Sequence, residues 1–524
     1  MSASTPVISE VGDRPALECR HAGLLLAAII ALSICQFLDA TVANVALPHM
    51  QTSLGASMDT VSWVLTSFII ASAIATPITG WLSDRFGSRR MFLGACTGFL
   101  LTSMLCGIAT SLPEMVLFRG LQGVSAALMG PMSQAIMYDV TPPSKQTRAM
   151  SIWSMVVVVA PISGPFVGGY LTDMLNWRWV FFVNLPVGIP ALALVWWLLP
   201  SRPIDRRELD LFGFSMLALG LAALQLMLDR GEHKDWFQSW EIIIECAVAI
   251  SGFWIFAIHS MRARTPLFHA SLLRDRNFIA ALGLMVVIGI ASIALGALLP
   301  TMYQSIYGYS VTDTGLLLAP RGVGVVMTMW ITDYLIRKMD YRYVATFGFL
   351  IAAFSMWTMT KWSIDQSYET IIASSMIQGL GLGFVSVPMQ LLGFARLPVQ
   401  HRMEGAALFS LFRNLGGSFG ISVIVTTLAR NTQVSHADLA TNITSYSLPG
   451  FDLATLADRF GSFGGSGMLM LDGIVSKQAL MISYLDCFYM IFWVMLLIAP
   501  LPLLAARPRP EGKDLQDGPL LESH

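Results

Sequence analysis

The sequence predicts an all-α membrane protein of fourteen spans, arranged as two six-helix halves with a further pair of helices between them. Three observations carry this reading. Hydrophobic residues make up 55% of the chain and charged residues only 12%, with a mean hydropathy of +0.64, outside the range of soluble globular domains. Apolar segments of about 20 residues, the length a bilayer core requires, recur along the whole chain. The lysines and arginines between them concentrate in alternate loops, as the positive-inside rule demands.

In order, the predicted spans are 22–47, 60–82, 90–110, 114–137, 149–172, 179–200, 210–229, 241–261, 278–301, 314–336, 343–361, 368–393, 404–430 and 481–505. A tail, 1–21, carries Arg14 and Arg20 ahead of an apolar run too long for the core of a cleaved signal peptide. With both termini cytoplasmic, only Arg178, Arg230, Lys234, Lys361, Arg430, Arg459 and Lys477 fall in outer segments, and Arg119, Arg321 and Arg413 fall inside spans. A missed helix would invert every later loop and spoil this asymmetry.

The first half covers 22–200, a linker with two extra helices covers 201–277, and the second half covers 278–505. The second half includes the single long hydrophilic outer loop, at about 431–480, with the run GSFGGSG at 461–467. It reads as a mobile connector, or as a lid or docking surface for an adaptor. The tail 506–524 and the extreme N-terminus read as disordered. Duplication is visible where Arg119-Gly120-Leu121-Gln122-Gly123 and Ser375-Met376-Ile377-Gln378-Gly379 each lead into a glycine-rich helix with a Pro-Met step. Repeats of this kind are typical of secondary transporters, which bind between the halves.

Span five contains APISGPFVGG at 160–169. In lipid the segment must stay helical despite Pro161 and Pro165, so it is expected to kink, while Gly164, Gly168 and Gly169 admit a close neighbour. These five residues form a candidate hinge. After span two, Gly80-Trp81-Leu82-Ser83-Asp84-Arg85-Phe86-Gly87-Ser88-Arg89-Arg90 sets one carboxylate among three arginines at a helix end. Asp84, Arg85, Arg89 and Arg90 are a candidate latch that forms and breaks as the halves rock; the arginines alone would also suit a plain basic loop.

That loop resembles the G-x-L-x-D-R-x-G-x-R-R signature of the major facilitator superfamily. Leu38-Asp39-Ala40-Thr41-Val42-Ala43-Asn44-Val45-Ala46-Leu47-Pro48 is similar to the first-helix signature of its fourteen-span drug:proton antiporters. Arg119 to Gly123 resembles the fourth-helix motif, and Gly164-Pro165-Phe166-Val167-Gly168-Gly169 the fifth-helix antiporter motif. Leu226-Met227-Leu228-Asp229-Arg230-Gly231, Asp235-Trp236-Phe237 and WVFFVNLPVG at 179–188 look like the EmrB-type branch. The resemblance implies the major facilitator fold and a proton-coupled inner-membrane pump of a Gram-negative bacterium. Such a pump exports small hydrophobic toxic compounds through a periplasmic adaptor and an outer-membrane channel, and needs no cofactor. Ser375 stands where Arg119 stands in the first half, and 337–342 is a degraded copy of the Asp84 loop, so the halves are expected to differ in function.

Intramembrane charges are costly and mark functional sites. Asp39 and Arg119 lie at similar depth, so neighbouring helices would bring them within reach. Burial disfavours a carboxylate and a guanidinium favours it, so the pair suits proton coupling, with a fixed structural ion pair as the alternative. Gln122, Arg321, Gln378, Arg413 and Asp486 are candidate substrate or coupling residues. Arg321 and Arg413 are expected either to bind anionic groups or to cap carbonyls beside nearby glycines. Asp486 and Glu245 could equally face interfacial water.

The composition excludes several classes. A net charge of −1 offers nothing to nucleic acid, and the six cysteines show no paired spacing, reading as packing residues or free thiols. No P-loop or H-E-x-x-H motif occurs and the eight histidines are scattered, so an enzyme and a metal site are not expected. An importer of the same superfamily is the nearest alternative, against which the fifth-helix motif speaks.

Overall fold

Lipid gives the backbone no hydrogen bonds, so an apolar segment must satisfy its own by becoming a helix. In the computed structural model, which describes residues 15–201, 208–263, 265–269, 272, 274–394, 397, 401–441 and 464–504, each predicted span is helical where described. In the first half these are α1 (Ala22–Ser53), α2 (Trp63–Phe86), α3 (Ser88–Ile108), α4 (Leu112–Val140), α5 (Pro143–Met174) and α6 (Trp179–Leu198). The inserted pair is α7 (Leu211–Arg230) and α8 (Trp240–Arg262). The second half has α9 (Arg276–Ser305), α10 (Val311–Lys338), α11 (Tyr341–Met359), α12 (Tyr368–Phe394), α13 (Arg402–Thr441) and α14 (Gly464–Ile498).

Among the described residues, 11 helices are long and apolar enough to cross a membrane. The others, α4, α10 and α11, are 29, 28 and 19 residues long. In α4 and α10 the lower hydropathy reflects polar groups such as Arg119, Gln122, Thr314 and Arg321, which are buried in protein and not turned to lipid. The protein is a multi-pass membrane protein.

The packing repeats with the chain. In the first half α1 lies on α5, α2 on α4, α3 on α4 and α3 on α6; in the second α9 lies on α13, α10 on α12, α11 on α12 and α11 on α14. The halves meet through two matched pairings, α5 with α10 and α2 with α13. The duplication hinted at by two Gln-Gly steps therefore extends through the helix contacts. The inserted α7 and α8 pack on each other, with α7 also against α2 and α13. α8 turns Trp240, Ile244, Ile250, Trp254 and Met261 outward, a face suited to acyl chains.

Three local features matter for the site. α5 runs unbroken through Pro161 and Pro165. The backbone turns sharply between α2 and α3 at Gly87, whose φ of 88° favours glycine. α9 contains a π-helical turn, Ile290–Ala294, a local widening often found at functional sites.

The expected outer loop at about 431–480 is corrected in part. α13 continues to Thr441 and α14 starts at Gly464, so both project past the predicted membrane limits as helix. At 40 residues, α13 is about 60 Å long, twice the hydrocarbon thickness. Periodicity tuned to apolar runs stops where the helix leaves lipid, although the backbone does not. Of the run 461–467, the first three residues lie outside the described residues and the rest open α14. Most of the N-terminal tail (1–14) and the whole of 505–524 also lie outside the described residues.

Candidate functional site

α1 and α4 pass side by side, and the residues they turn toward each other include a carboxylate and a guanidinium. Arg119 Nη1 lies 2.7 Å from Asp39 Oδ2, with both residues 1% exposed. The other carboxylate oxygen accepts from Asn184 Nδ2 at 2.9 Å and from Gln122 Nε2 at 3.2 Å. Arg119 in turn donates to Gln122 Oε1 at 2.8 Å and to the Val64 carbonyl at 3.3 Å. Its guanidinium carbon sits 4.4 Å from the centre of the Phe68 ring and 5.5 Å from that of Phe181. Asn184 is held by Ser103, which itself donates to the Phe181 carbonyl at 2.9 Å.

Five helices of the first half thus converge on one buried charge pair. The positive and negative charges cancel, and both oxygens of the carboxylate are occupied. Breaking a buried pair by removing one partner costs about 3–5 kcal/mol, so the network holds α1, α4 and α6 in one arrangement while it is ionised. Asp39, Arg119 and Gln122 are the expected members; Asn184 and Ser103 are additions, and of these the asparagine inside the apolar run at 179–188 is a visible signal in the sequence.

The predicted hinge packs as small residues permit. A Cβ on Gly164 would come within 2.0 Å of Thr41 Oγ1, one on Gly168 within 3.1 Å of Val42, and one on Gly169 within 2.9 Å of Val311. From the other side, a Cβ on Gly315 would meet Phe166 at 2.6 Å. α5 therefore touches α1 with one edge and α10 with another.

At the ends of α2 and α4, the halves are joined by charge. Arg402, opening α13, donates to Asp139 Oδ1 at 2.8 Å and lies over the Tyr138 ring at 4.6 Å. Tyr138 stacks on Phe394 at 5.2 Å, and the Leu17 amide donates to the Asp139 carbonyl at 3.0 Å. Glu404 lies against Gly80, where a Cβ would meet its Cγ at 2.6 Å. Asp84 is half-buried at this end, Arg85 and Arg90 are exposed, and Arg89 donates to the Trp196 carbonyl at 2.7 Å.

The second-half candidates behave differently. Arg321 donates to the carbonyls of Ala291 and Ser292, in the π-helical turn, at 3.4 and 3.2 Å, while its Nε and Nη1 have no partner. Gln378 is buried with both amide atoms unpartnered. Tyr303 approaches Ser375 at 3.5 Å. Among the described residues Arg413 caps no carbonyl, its guanidinium lying 5.4 Å from the centre of the Phe37 ring. Asp486 is exposed and accepts from Asn431 at 2.9 Å, and Glu245 keeps one buried oxygen without a partner.

A family model, the Major Facilitator Superfamily, matches residues 29–421. The chain belongs to the major facilitator superfamily. It is 32% identical over 487 residues to the multidrug export protein EmrB of Escherichia coli K12, spanning 91% of this chain and 95% of that one. Similarity to the probable multidrug resistance protein EmrY of the same organism is 34% over 502 residues, spanning 93% and 96%. This places the chain in the EmrB-type branch, a family of transporters and not of enzymes. Among solved structures, the proton:xylose symporter XylE superposes with a TM-score of 0.57 over 93% of this chain and 99% of that one, at 14% identity. That likeness is one of fold.

Proposed function

We propose that the protein is a proton-driven antiporter that exports hydrophobic or amphipathic toxic compounds across the inner membrane of a Gram-negative bacterium. Support for multidrug export comes from the names of its relatives. Support for proton coupling comes from a single observation: the fully buried Asp39 carboxylate bonded to Arg119, Gln122 and Asn184. All three donors are spent on the carboxylate, so in this cycle Arg119 must let go before a proton takes its place. The Gln122 and Val64 oxygens that already accept from Arg119 can hold it when it does. Protonation and the packing of α1 against α4 then become one equilibrium, which drug and proton use in alternation.

In this reading Pro161, Gly164, Pro165, Gly168 and Gly169 form the hinge, and Asp84 with Arg85, Arg89 and Arg90 is the latch at the cytoplasmic ends. With both termini cytoplasmic, the Arg402–Asp139 contact closes the inner mouth. The helical extensions of α13 and α14 then project into the periplasm, where an adaptor leading to an outer-membrane channel would meet them.

The test is proton movement in proteoliposomes on addition of substrate, with dye accumulation in a pump-deficient strain measured beside it. Wild type should export dye until a protonophore collapses the gradient, and Asp39→Asn should bind drug but move no protons. Wild-type proton exchange by Asp39→Asn would place the coupling site elsewhere.

A further inference from the structure

Between the halves lies a cavity of about 30 Å³, room for about two water molecules. α4 and α5 of the first half line it with Gln134, Trp153 and Ser154; α12 and α13 of the second line it with Gln390, Phe409 and Arg413. Its lining is unusual in what it leaves undone. Trp153 Nε1, Ser154 Oγ and Gln390 Oε1 are buried with no hydrogen-bond partner, as is Arg413 Nε. Buried polar groups are normally satisfied, and each exception needs an explanation. Among the described residues no carboxylate lines the cavity and Arg413 makes no ion pair. Of the other two intramembrane arginines, Arg119 is paired with Asp39, and Arg321, which lies outside this cavity, keeps two carbonyls on one nitrogen and leaves its Nε and Nη1 unpartnered.

Arg413 is half-buried, and a guanidinium with no counter-charge inside the membrane is costly unless something transient neutralises it. The surroundings indicate the shape of that something. Arg413 lies over Phe37, Phe37 stands edge-on to Trp153 at 5.9 Å, and Phe409 closes the far wall. A planar cation among aromatic faces suits a flat apolar body with a carboxylate or phenolate head, since the guanidinium fork fits a carboxylate through two parallel hydrogen bonds.

We propose that Arg413 is the anchor that selects lipophilic monoanions, holding the acidic head of the cargo while Trp153 and Phe409 flank its body. This deepens the efflux reading and rests on it. Space for the head is already present between the halves. The body enters as α5 and α12 part. Asp39 lies outside this cavity, so cargo charge and coupling proton are handled by different arginines.

The test uses the full chain in lipid nanodiscs and three ligands with the same ring system: 2-naphthoate, 2-naphthylmethanol and 2-naphthylmethylammonium. Equilibrium binding to wild type should favour the carboxylate over the alcohol by at least tenfold, with the ammonium weakest. Arg413→Gln should abolish that preference while binding of the alcohol stays within about threefold, and Arg413→Lys should keep part of it. A wild type that binds the three equally, or an Arg413→Gln variant that still prefers the carboxylate, overturns the assignment. If Arg413→Gln binds none of them, the lysine variant decides, since a retained preference supports the anchor and a lost one overturns it. Binding needs no gradient. Failure of the efflux reading would appear separately, as wild-type cells that do not exclude dye.

Discussion

The two halves share their seams and differ in their charges. In the first, Gly164 and Gly168 of α5 lie against Thr41 and Val42 of α1; in the second, Gly416 and Gly420 of α13 lie against Val286 and Ile290 of α9, where a Cβ on Gly416 would come within 2.2 Å of the Val286 carbonyl. Close approach of these helices is thus a property of the fold and was kept on both sides. The polar interior was not. Arg119 and Gln122 of α4 complete a saturated network around Asp39, whereas Ser375 and Gln378 of α12 stand at the matching places with no ion pair between them and an amide that bonds nothing. A saturated network resists rearrangement, and in the proposed cycle a proton releases it. An unsaturated one costs stability and is available to whatever the transporter carries. The duplicated scaffold thus carries an ion pair in one half and unpartnered polar groups in the other.

The largest effect should come from the seams, and it should be symmetrical. Gly164→Leu and Gly416→Leu each force a side chain into space already filled, so both should abolish dye efflux in protein that still reaches the membrane. Normal efflux in either variant would show that its seam tolerates separation. Next comes the asymmetry of charge. Arg119→Ala leaves a buried carboxylate without its cation, at a cost of about 3–5 kcal/mol. Residual transport should then lose the pH dependence of the wild type. An unchanged pH profile would mean that Arg119 does not govern the proton.

A sharper comparison uses the two glutamines. Gln122→Leu removes hydrogen bonds with Asp39, Arg119 and the Cys106 thiol and should lower thermal stability in detergent by about 1–3 kcal/mol. Gln378→Leu removes none and should be neutral or stabilising. Equal losses in the two would erase the contrast drawn here. The smallest effect concerns the closed mouth. Arg402→Gln removes the ion pair with Asp139 and should shift the population toward the open arrangement, read as faster labelling of a cysteine introduced at Ser386 in a variant lacking native thiols. Unchanged labelling would mean that the stacking of Tyr138 on Phe394 closes the mouth alone.

Much of this was legible in the sequence because lipid leaves so few choices. An apolar run of sufficient length has to be a helix, and the basic loops fix the count, so all fourteen segments could be placed. Asp39 and Arg119 could be paired because a charge in that setting demands a partner at its own depth. Legibility failed where the constraint was weaker. The extensions of α13 and α14 are polar helices whose propensity resembles that of a loop. Asn184 and Ser103 are neutral and small, so nothing local separates them from other buried polar residues until α6 and α3 are brought together. The orphaned atoms around Arg413 cannot be read from sequence at all, because an absent partner is a property of three dimensions.

The seam of α5 has a further consequence. Thr41 and Val42, the residues against which Gly164 and Gly168 rest, occupy the same turn of α1 as Asp39. The opposite edge of α5 bears on Val311 and Gly315 of α10. The glycine-rich segment of α5 is therefore wedged between the backbone that carries the carboxylate and the body of the other half. With no slack in the glycine contacts, a tilt of the second half is delivered as a push on that turn, and a change in the turn is delivered back as a tilt. The linkage is mechanical. It needs no side chain to carry a signal, only contacts too tight to slip.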